Sequence, residues 1–110
     1  MNPKSGEVWL ADLGLAAKTR PVVIVSRDDA NPPRALTIYV PLTTQNRNSP
    51  YEVTLPKLRF LNKDSVANVQ GLRSIPTVRL ERKLGDLPTI VMKQIKPAIA
   101  FALDLEMKSD

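Results

Sequence analysis

The residues best suited to chemistry lie in two short polar segments, each at the end of a predicted β-strand. Thr19 and Arg20 directly precede the apolar run 22–25, and residues 41–46 end the third predicted strand with two hydroxyls and two amides. Arginine presents a planar fork of N–H donors that matches phosphate oxygens, and threonine adds a short neutral donor. If these strands pair, both segments lie at sheet ends beside loops, a common place for a site. Taken alone, the residues are more simply interpreted as a surface arginine at a strand end and a threonine turn.

The residue types that are missing exclude several classes of site. The chain contains no cysteine and no histidine, which excludes disulfides, thiolate metal sites and cysteine nucleophiles and removes the usual general base near pH 7. With only four glycines and no glycine-rich phosphate loop, a dinucleotide site is not expected. Asp28, Asp29 and Asn31 are ligand types for a hard cation, but the cluster is more typical of an acidic turn. We therefore predict a protein without a metal or a cofactor.

The charge of the chain favours an anionic partner, with nucleic acid as the first candidate. The net charge is +5, from 16 basic and 11 acidic residues, and the basic excess lies in segments 18–47 and 57–83. No run of about 18 apolar residues is present, so no membrane span is predicted. The N-terminus lacks the apolar core of a signal peptide, and we expect a cytoplasmic protein.

The pattern of apolar residues predicts a single, mainly β domain over residues 1–110. Strands are predicted at residues 8–13, 21–26, 36–42 and 51–55, with weaker candidates at 64–69, 73–75 and 83–87. Pro41 is expected to interrupt the third strand late. A helical face then follows at Val91, Ile95, Ile99, Ala102 and Leu103. Pro88 suits the first turn of this helix, whereas Pro97 is expected to kink or split it. The spacing of the short strands favours a small barrel or a strongly bent antiparallel sheet with a C-terminal helix.

Eight blocks along nearly the whole chain together resemble the MazF/PemK family of toxin endoribonucleases. They are GEVWLADL (6–13), RPVVIVS (20–26), VPLT (40–43), PYEV (50–53), DSV (64–66), LRSI (72–75), RL (79–80) and LGDL (84–87). The resemblance implies an SH3-like β-barrel with a C-terminal helix and a homodimer. It also implies a type II toxin held by an antitoxin protein, which cuts single-stranded RNA at short sequences without a metal.

The resemblance also implies roles for residues at matching positions. The family's catalytic arginine corresponds to Arg20, and its catalytic threonine or serine corresponds to Thr43. RNA supplies its own nucleophile, the 2′-hydroxyl, so Arg20 would stabilise charge on the phosphorane and Thr43 would bind a non-bridging oxygen. Contacts to the RNA are expected from neighbouring polar and basic residues, namely Lys18, Thr19, Thr44, Gln45, Asn46, Arg47 and Arg73.

Departures from the family pattern keep two alternatives open. The loop 14–19 is shorter than is common in the family, which suggests a catalytically weakened RNA-binding member. Gln70 is shifted by one position from the family's glutamine, so a contact of this residue to a base is not expected. A CcdB-like toxin that binds gyrase without catalysis is the other alternative, but its C-terminal tryptophan is missing here, where the only tryptophan is Trp9.

The aromatic side chains are expected to pack rather than to stack on bases. These are Trp9, Tyr39, Tyr51, Phe60 and Phe101.

Overall fold

The computed structural model describes residues 2–14 and 19–105, and over these residues it contains an antiparallel seven-stranded sheet and a C-terminal helix. The strands are β1 (Glu7–Asp12), β2 (Thr19–Ile24), β3 (Leu36–Thr43), β4 (Glu52–Thr54), β5 (Val66–Asn68), β6 (Arg73–Pro76) and β7 (Leu80–Asp86), and the helix is α1 (Thr89–Ala102). The sheet order is β4-β5-β3-β2-β1-β7, and β6 also pairs with β3. Because β4 and β7 end this order unpaired with each other, the sheet is open rather than a closed barrel. The mainly β prediction with a C-terminal helix is confirmed.

The β2 strand is buried on both faces, as its β-branched run predicts. Val22 and Ile24 pack on one face with Tyr39, while Val23 packs on the other with Val40, and all except Tyr39 have no exposed surface. The face of Val23 is covered by α1, and the face of Val22 carries a second, smaller cluster. Successive side chains of β2 therefore pack into two different apolar clusters, one on each face of the sheet. A shift of β2 by one residue would exchange these faces, so its register is strongly fixed.

The β3 strand continues through Pro41 to Thr43, so the prediction that Pro41 interrupts it is wrong. The interruption lies instead on the side of β3 away from β2, where two separate strands pair with it. On that side β6 pairs with residues 36–39 and β5 with residues 42–43, and a 3₁₀ turn, Val69–Gly71, separates them. The carbonyl of Ala35 accepts from Thr77 N on this side, whereas the carbonyl of Ile38 accepts from Val25 N on the β2 side. The backbone groups of odd-numbered residues in β3 therefore face β5 and β6, and those of even-numbered residues face β2. Pro41 is odd-numbered, so the N–H that it lacks would have faced β5 and β6. The neighbouring strand therefore breaks where β3 offers no donor.

The helix α1 is continuous over Thr89–Ala102, so the prediction that Pro97 splits it is wrong. Ile95 and Ala100 are buried on either side of the proline, and Pro97 itself is exposed. The lost hydrogen bond thus lies away from the face that packs on the sheet, and the packed residues hold the helix together through it. Pro88 occupies the N-cap position, directly before the first helical residue. No helix within the described residues is long and apolar enough to cross a membrane.

Candidate active site

The register of β2 against β3 brings together the two residues that the sequence singled out. Val22 lies opposite Pro41 and Ile24 opposite Tyr39 in the antiparallel pair. Continuing that register by two residues places Arg20 opposite Thr43. Directly opposite residues project from the same face of a sheet, here the face of Val22 and Tyr39 that lies away from α1. The two strands do pair, and both residues lie at the same end of the pairing.

Arg20 and Thr43 line one cleft of about 440 Å³ at this end of the sheet. The other lining residues are Leu13, Pro21, Pro41, Leu42, Thr44 and Ser65. Arg20 is exposed, and among residues 2–14 and 19–105 no carboxylate lies within ion-pair distance of its guanidinium. The cleft therefore presents a guanidinium and hydroxyls to solvent, a combination that binds phosphate oxygens.

The acidic residue beside Arg20 in the β1–β2 pairing does not share its face of the sheet. Ala11 lies opposite Arg20, and Asp12 lies opposite Thr19. Because successive side chains of a strand alternate, Asp12 projects from the face opposite to Arg20. Its Oδ1 accepts the N–H of Gly14 at 2.9 Å and lies 3.8 Å from the Arg79 guanidinium. Asp12 therefore has partners of its own on the other face, and Arg20 remains open to an incoming anion.

Thr43 makes the turn that the simpler interpretation predicted, and this turn suits a binding role. Its Oγ1 accepts the backbone N–H of Gln45 at 3.2 Å. A threonine hydroxyl has one proton to donate, and accepting from Gln45 leaves that proton available. Thr43 is half-buried and lines the cleft, so this hydroxyl proton is available to a bound ligand there.

A second cavity of about 250 Å³ adjoins the cleft, and Thr43 lines both. Its walls are polar and consist of Thr43, Gln45, Arg47, Ser49, Glu52, Asn68 and Gln70. Gln45 and Arg47 were predicted here, whereas Gln70 was set aside because of its shifted position. Gln70 reaches the cavity from the 3₁₀ turn opposite Pro41, where Asn68 Oδ1 accepts its backbone N–H at 3.1 Å. No local pattern in the sequence indicates that Gln70 lines this cavity, because the position of the 3₁₀ turn depends on which strand lies beside Pro41.

Glu52 is the only carboxylate among the residues that line these two cavities. Backbone N–H donors hold the pKa of Glu52 below its ordinary value, first that of Arg47 and then that of Ser49, although partial desolvation opposes them. The side chain is thus an anion that is satisfied from within its own loop.

Three of the predicted contacts, Thr19, Asn46 and Arg73, are not among the described residues that line the two cavities. Thr19 is half-buried at the start of β2, and Arg73 is exposed on β6 opposite Tyr39. Asn46 is exposed and accepts the N–H of Asn48 at 2.8 Å. Lys18, and most of the short loop 14–19, lie outside the described residues.

The acidic turn and the aromatic residues behave as the sequence predicts. Asp29 Oδ1 accepts the N–H of Asn31 at 2.9 Å, which makes the expected turn. Tyr39 is buried, Trp9 and Phe60 are partly buried against the two apolar clusters, and Phe101 packs on Tyr51 with ring centroids 5.3 Å apart. None of the five aromatic side chains lines either of the two cavities.

Comparison with known proteins adds an independent finding. The family described as "PemK-like, MazF-like toxin of type II toxin-antitoxin system" matches residues 4–103. The chain is 34% identical over 103 residues to the probable endoribonuclease MazF5 of Mycobacterium tuberculosis, covering 93% of this chain and 94% of that one. It is 32% identical over 110 residues to the endoribonuclease MazF of Staphylococcus saprophyticus, with 93% and 92% covered. A mycobacterial endoribonuclease solved in complex with its cognate antitoxin has a TM-score of 0.84 at 29% identity, covering 96% of this chain and 99% of that one.

Proposed function

Because this chain belongs to the PemK-like, MazF-like family of type II toxins, we propose that it is an endoribonuclease toxin whose catalytic residues are Arg20 and Thr43. The activity is supported by relatives that are named endoribonucleases and match nearly the whole chain. The observation that carries the site is the cleft at the end of the β2–β3 pairing, which both Arg20 and Thr43 line. Gyrase binding without catalysis is not favoured by these relatives.

The chemistry requires only groups of the cleft, the RNA and the solvent. The 2′-hydroxyl of the substrate gives up its proton to solvent as its oxygen attacks the adjacent phosphorus, the P–O5′ bond breaks, and the departing 5′-oxygen takes up a proton from solvent. The products are a 2′,3′-cyclic phosphate and a 5′-hydroxyl end. Charge accumulates on the non-bridging oxygens during the attack, so a donor held in place beforehand lowers the barrier. Neither a histidine nor a metal is needed for this route.

Arg20 and Thr43 take different parts in this step. The Arg20 guanidinium stabilises the negative charge of the phosphorane through two parallel N–H donors. The Thr43 hydroxyl accepts the N–H of Gln45 and donates its own proton to a non-bridging oxygen. Arginine keeps its charge in proteins, so we assign Arg20 an electrostatic role and not that of a general base.

The RNA on either side of the scissile phosphate is bound by polar and basic residues near the two cavities. Gln45 and Arg47 line the cavity beside Thr43 and offer an amide and a guanidinium to the neighbouring nucleotide. The other proposed contacts are Lys18, Thr19, Thr44, Asn46 and Arg73. Single-stranded RNA suits such a surface because its bases are free to enter a cavity.

Two protein partners complete the proposal. An antitoxin is supported by the family and by the similar endoribonuclease that was solved with its cognate antitoxin. The second partner is another copy of this chain, since 110 residues offer only a small cleft and a two-fold axis would extend it into a groove. Sedimentation should give a dimer at micromolar concentration, and a monomer would contradict the groove.

Cleavage of a long single-stranded RNA, followed by mapping of the new 5′ ends, tests the function. We expect 5′-hydroxyl ends at a short recurring sequence. A matched RNA with one 2′-deoxy sugar on the 5′ side of the cut should bind and remain intact there, because its nucleophile is missing. Cleavage at the deoxy position would require a water or protein nucleophile and would refute the mechanism. No cleavage of any RNA would refute the function itself.

A further inference from the structure

The segment between β3 and β4 is held in place by a single carboxylate. Glu52, the first residue of β4, accepts the backbone N–H of Arg47 on both oxygens, at 3.2 and 3.1 Å. Its Oε1 also accepts the backbone N–H of Ser49 at 3.0 Å and the Ser49 hydroxyl at 2.9 Å. One side chain thus satisfies donors from two loop residues, and hydrogen bonds to a charged acceptor are the stronger kind.

The same segment begins at the hydroxyl that the proposed mechanism uses. Gln45 N–H donates to Thr43 Oγ1, and two residues later Arg47 N–H donates to Glu52. The segment is therefore attached at one end to Thr43 and at the other to Glu52. A shift of Arg47 away from Glu52 would move Gln45 as well, and the Thr43 hydroxyl would lose the contact that fixes its orientation.

The negative charge of Glu52 on this surface also requires an explanation. Glu52 lines the cavity that adjoins the Arg20 cleft, on a surface proposed to receive a polyanion. A carboxylate there repels phosphate, so RNA binding alone would favour a neutral side chain. A neutral glutamine, however, has one acceptor oxygen and an NH₂ group that only donates, and it cannot reproduce the four contacts.

We propose that Glu52 is a positioning residue, which holds segment 45–49 so that the Thr43 hydroxyl donates to the scissile phosphate. This inference rests on the proposed function and assigns it an additional residue. Its action is through Thr43, and Glu52 itself need not touch the RNA. Loss of the anchor should therefore lower the rate of the chemical step and leave RNA binding unchanged or tighter.

The test compares Glu52→Gln with Asp29→Asn in the full chain. Asp29 is exposed and also accepts a loop N–H, but it lies in the β2–β3 connection, at the other end of both strands from Arg20 and Thr43. Both variants lose one negative charge, so a general electrostatic effect on RNA binding appears in both. We expect kcat of Glu52→Gln to fall about 10- to 100-fold, the range for a misplaced catalytic group, with no rise in KM. Asp29→Asn should keep the wild-type kcat.

Two further readouts separate positioning from a general loss of structure. Amide hydrogen exchange at Arg47 and Ser49 should accelerate in Glu52→Gln while the amides of β2 stay protected. In a Thr43→Val background, Glu52→Gln should lower kcat by less than twofold, because the group it positions is already gone. The inference would be overturned if the kcat of Glu52→Gln were within twofold of that of Asp29→Asn. It would also be overturned if Glu52→Gln lowered kcat as much in the Thr43→Val background as in the wild type.

Each way the experiment can fail has a distinct meaning. If Glu52→Gln does not fold, Glu52→Asp keeps the charge but shortens the side chain that reaches Arg47 N–H, and an unchanged kcat for that variant overturns the inference. If wild-type protein cleaves no RNA, the proposed function fails, and unchanged exchange at Arg47 and Ser49 then also refutes the anchoring role. If cleavage is normal in Thr43→Val but reduced in Glu52→Gln, the link through Thr43 is wrong.

Discussion

Replacing Arg20 with alanine should reduce the rate of RNA cleavage far more than it affects folding or binding. Arg20 is exposed and has no ion-pair partner among the described residues, so its loss leaves no buried group unsatisfied. Surface changes of this kind alter the unfolding free energy by about 0.5 kcal/mol or less. Loss of a preorganised donor to a developing oxyanion costs about 2.7–4 kcal/mol in the transition state, or about 10²–10³ in kcat. KM should rise much less, because Arg20 is one of several contacts to the RNA.

Single-turnover cleavage of a short RNA with one cut site measures this effect, with thermal unfolding as a check on the fold. Arg34→Ala is the matched control, since Arg34 is also exposed and lies in the connection at the opposite end of β2 and β3. Arg20→Lys should recover little activity, because a point charge cannot make the forked contact. Cleavage by Arg20→Ala within tenfold of Arg34→Ala would remove the arginine from the mechanism. Full recovery in Arg20→Lys would refute the forked contact.

Further expectations concern metal, salt and the core. Cleavage should survive excess EDTA, and activity that is lost with EDTA and restored by magnesium would point to a metal nuclease. RNA affinity should fall with salt, with a slope of about −0.7 in log affinity per log salt for each phosphate neutralised, and a flat response would place the basic residues away from RNA. Ile95→Ala should lower the unfolding free energy in denaturant titrations by about 2–5 kcal/mol, yet keep kcat at low temperature, because Ile95 packs on the sheet face away from the cleft. Gly71→Ala should lower both stability and kcat, because its Cβ would lie 2.7 Å from Pro41 Cγ in the strand that carries Thr43; unchanged kcat would show that β3 tolerates the shift.

The two segments that form the candidate site are marked by local patterns in the sequence, whereas their catalytic role was implied by the family resemblance. The run 22–25 is β-branched, follows Pro21 and ends before Ser26, so its start and therefore Arg20 are marked clearly. The end of β3 at Thr43 is marked by the same change from apolar to polar residues. The antiparallel pairing of these strands, which residues 25–35 connect, and its register are seen only in the structure.

Contacts between distant segments could not be predicted in this way. The 3₁₀ turn that delivers Gln70 depends on the missing N–H of Pro41, about 30 residues earlier, and on β5 and β6 being its neighbours. In the sequence, Glu52 is one charged residue in a strand of alternating polar and apolar residues. Only the fold of the preceding loop shows that the backbone N–H groups of Arg47 and Ser49 donate to its carboxylate. Pro97 was expected to break the helix because local propensity was considered without the packing of Ile95 and Ala100 on both sides of it.

The pairing of the first strand with the last has a consequence for the synthesis of this protein. β1 lies between β2 and β7, and Glu7 pairs with Asp86, so the sheet that supports Arg20 lacks one side until β7 has been translated. Such non-local pairings form late in folding, because a long loop must close first. The sheet beneath the cleft is therefore completed only after residues 80–86 have been translated, near the end of synthesis.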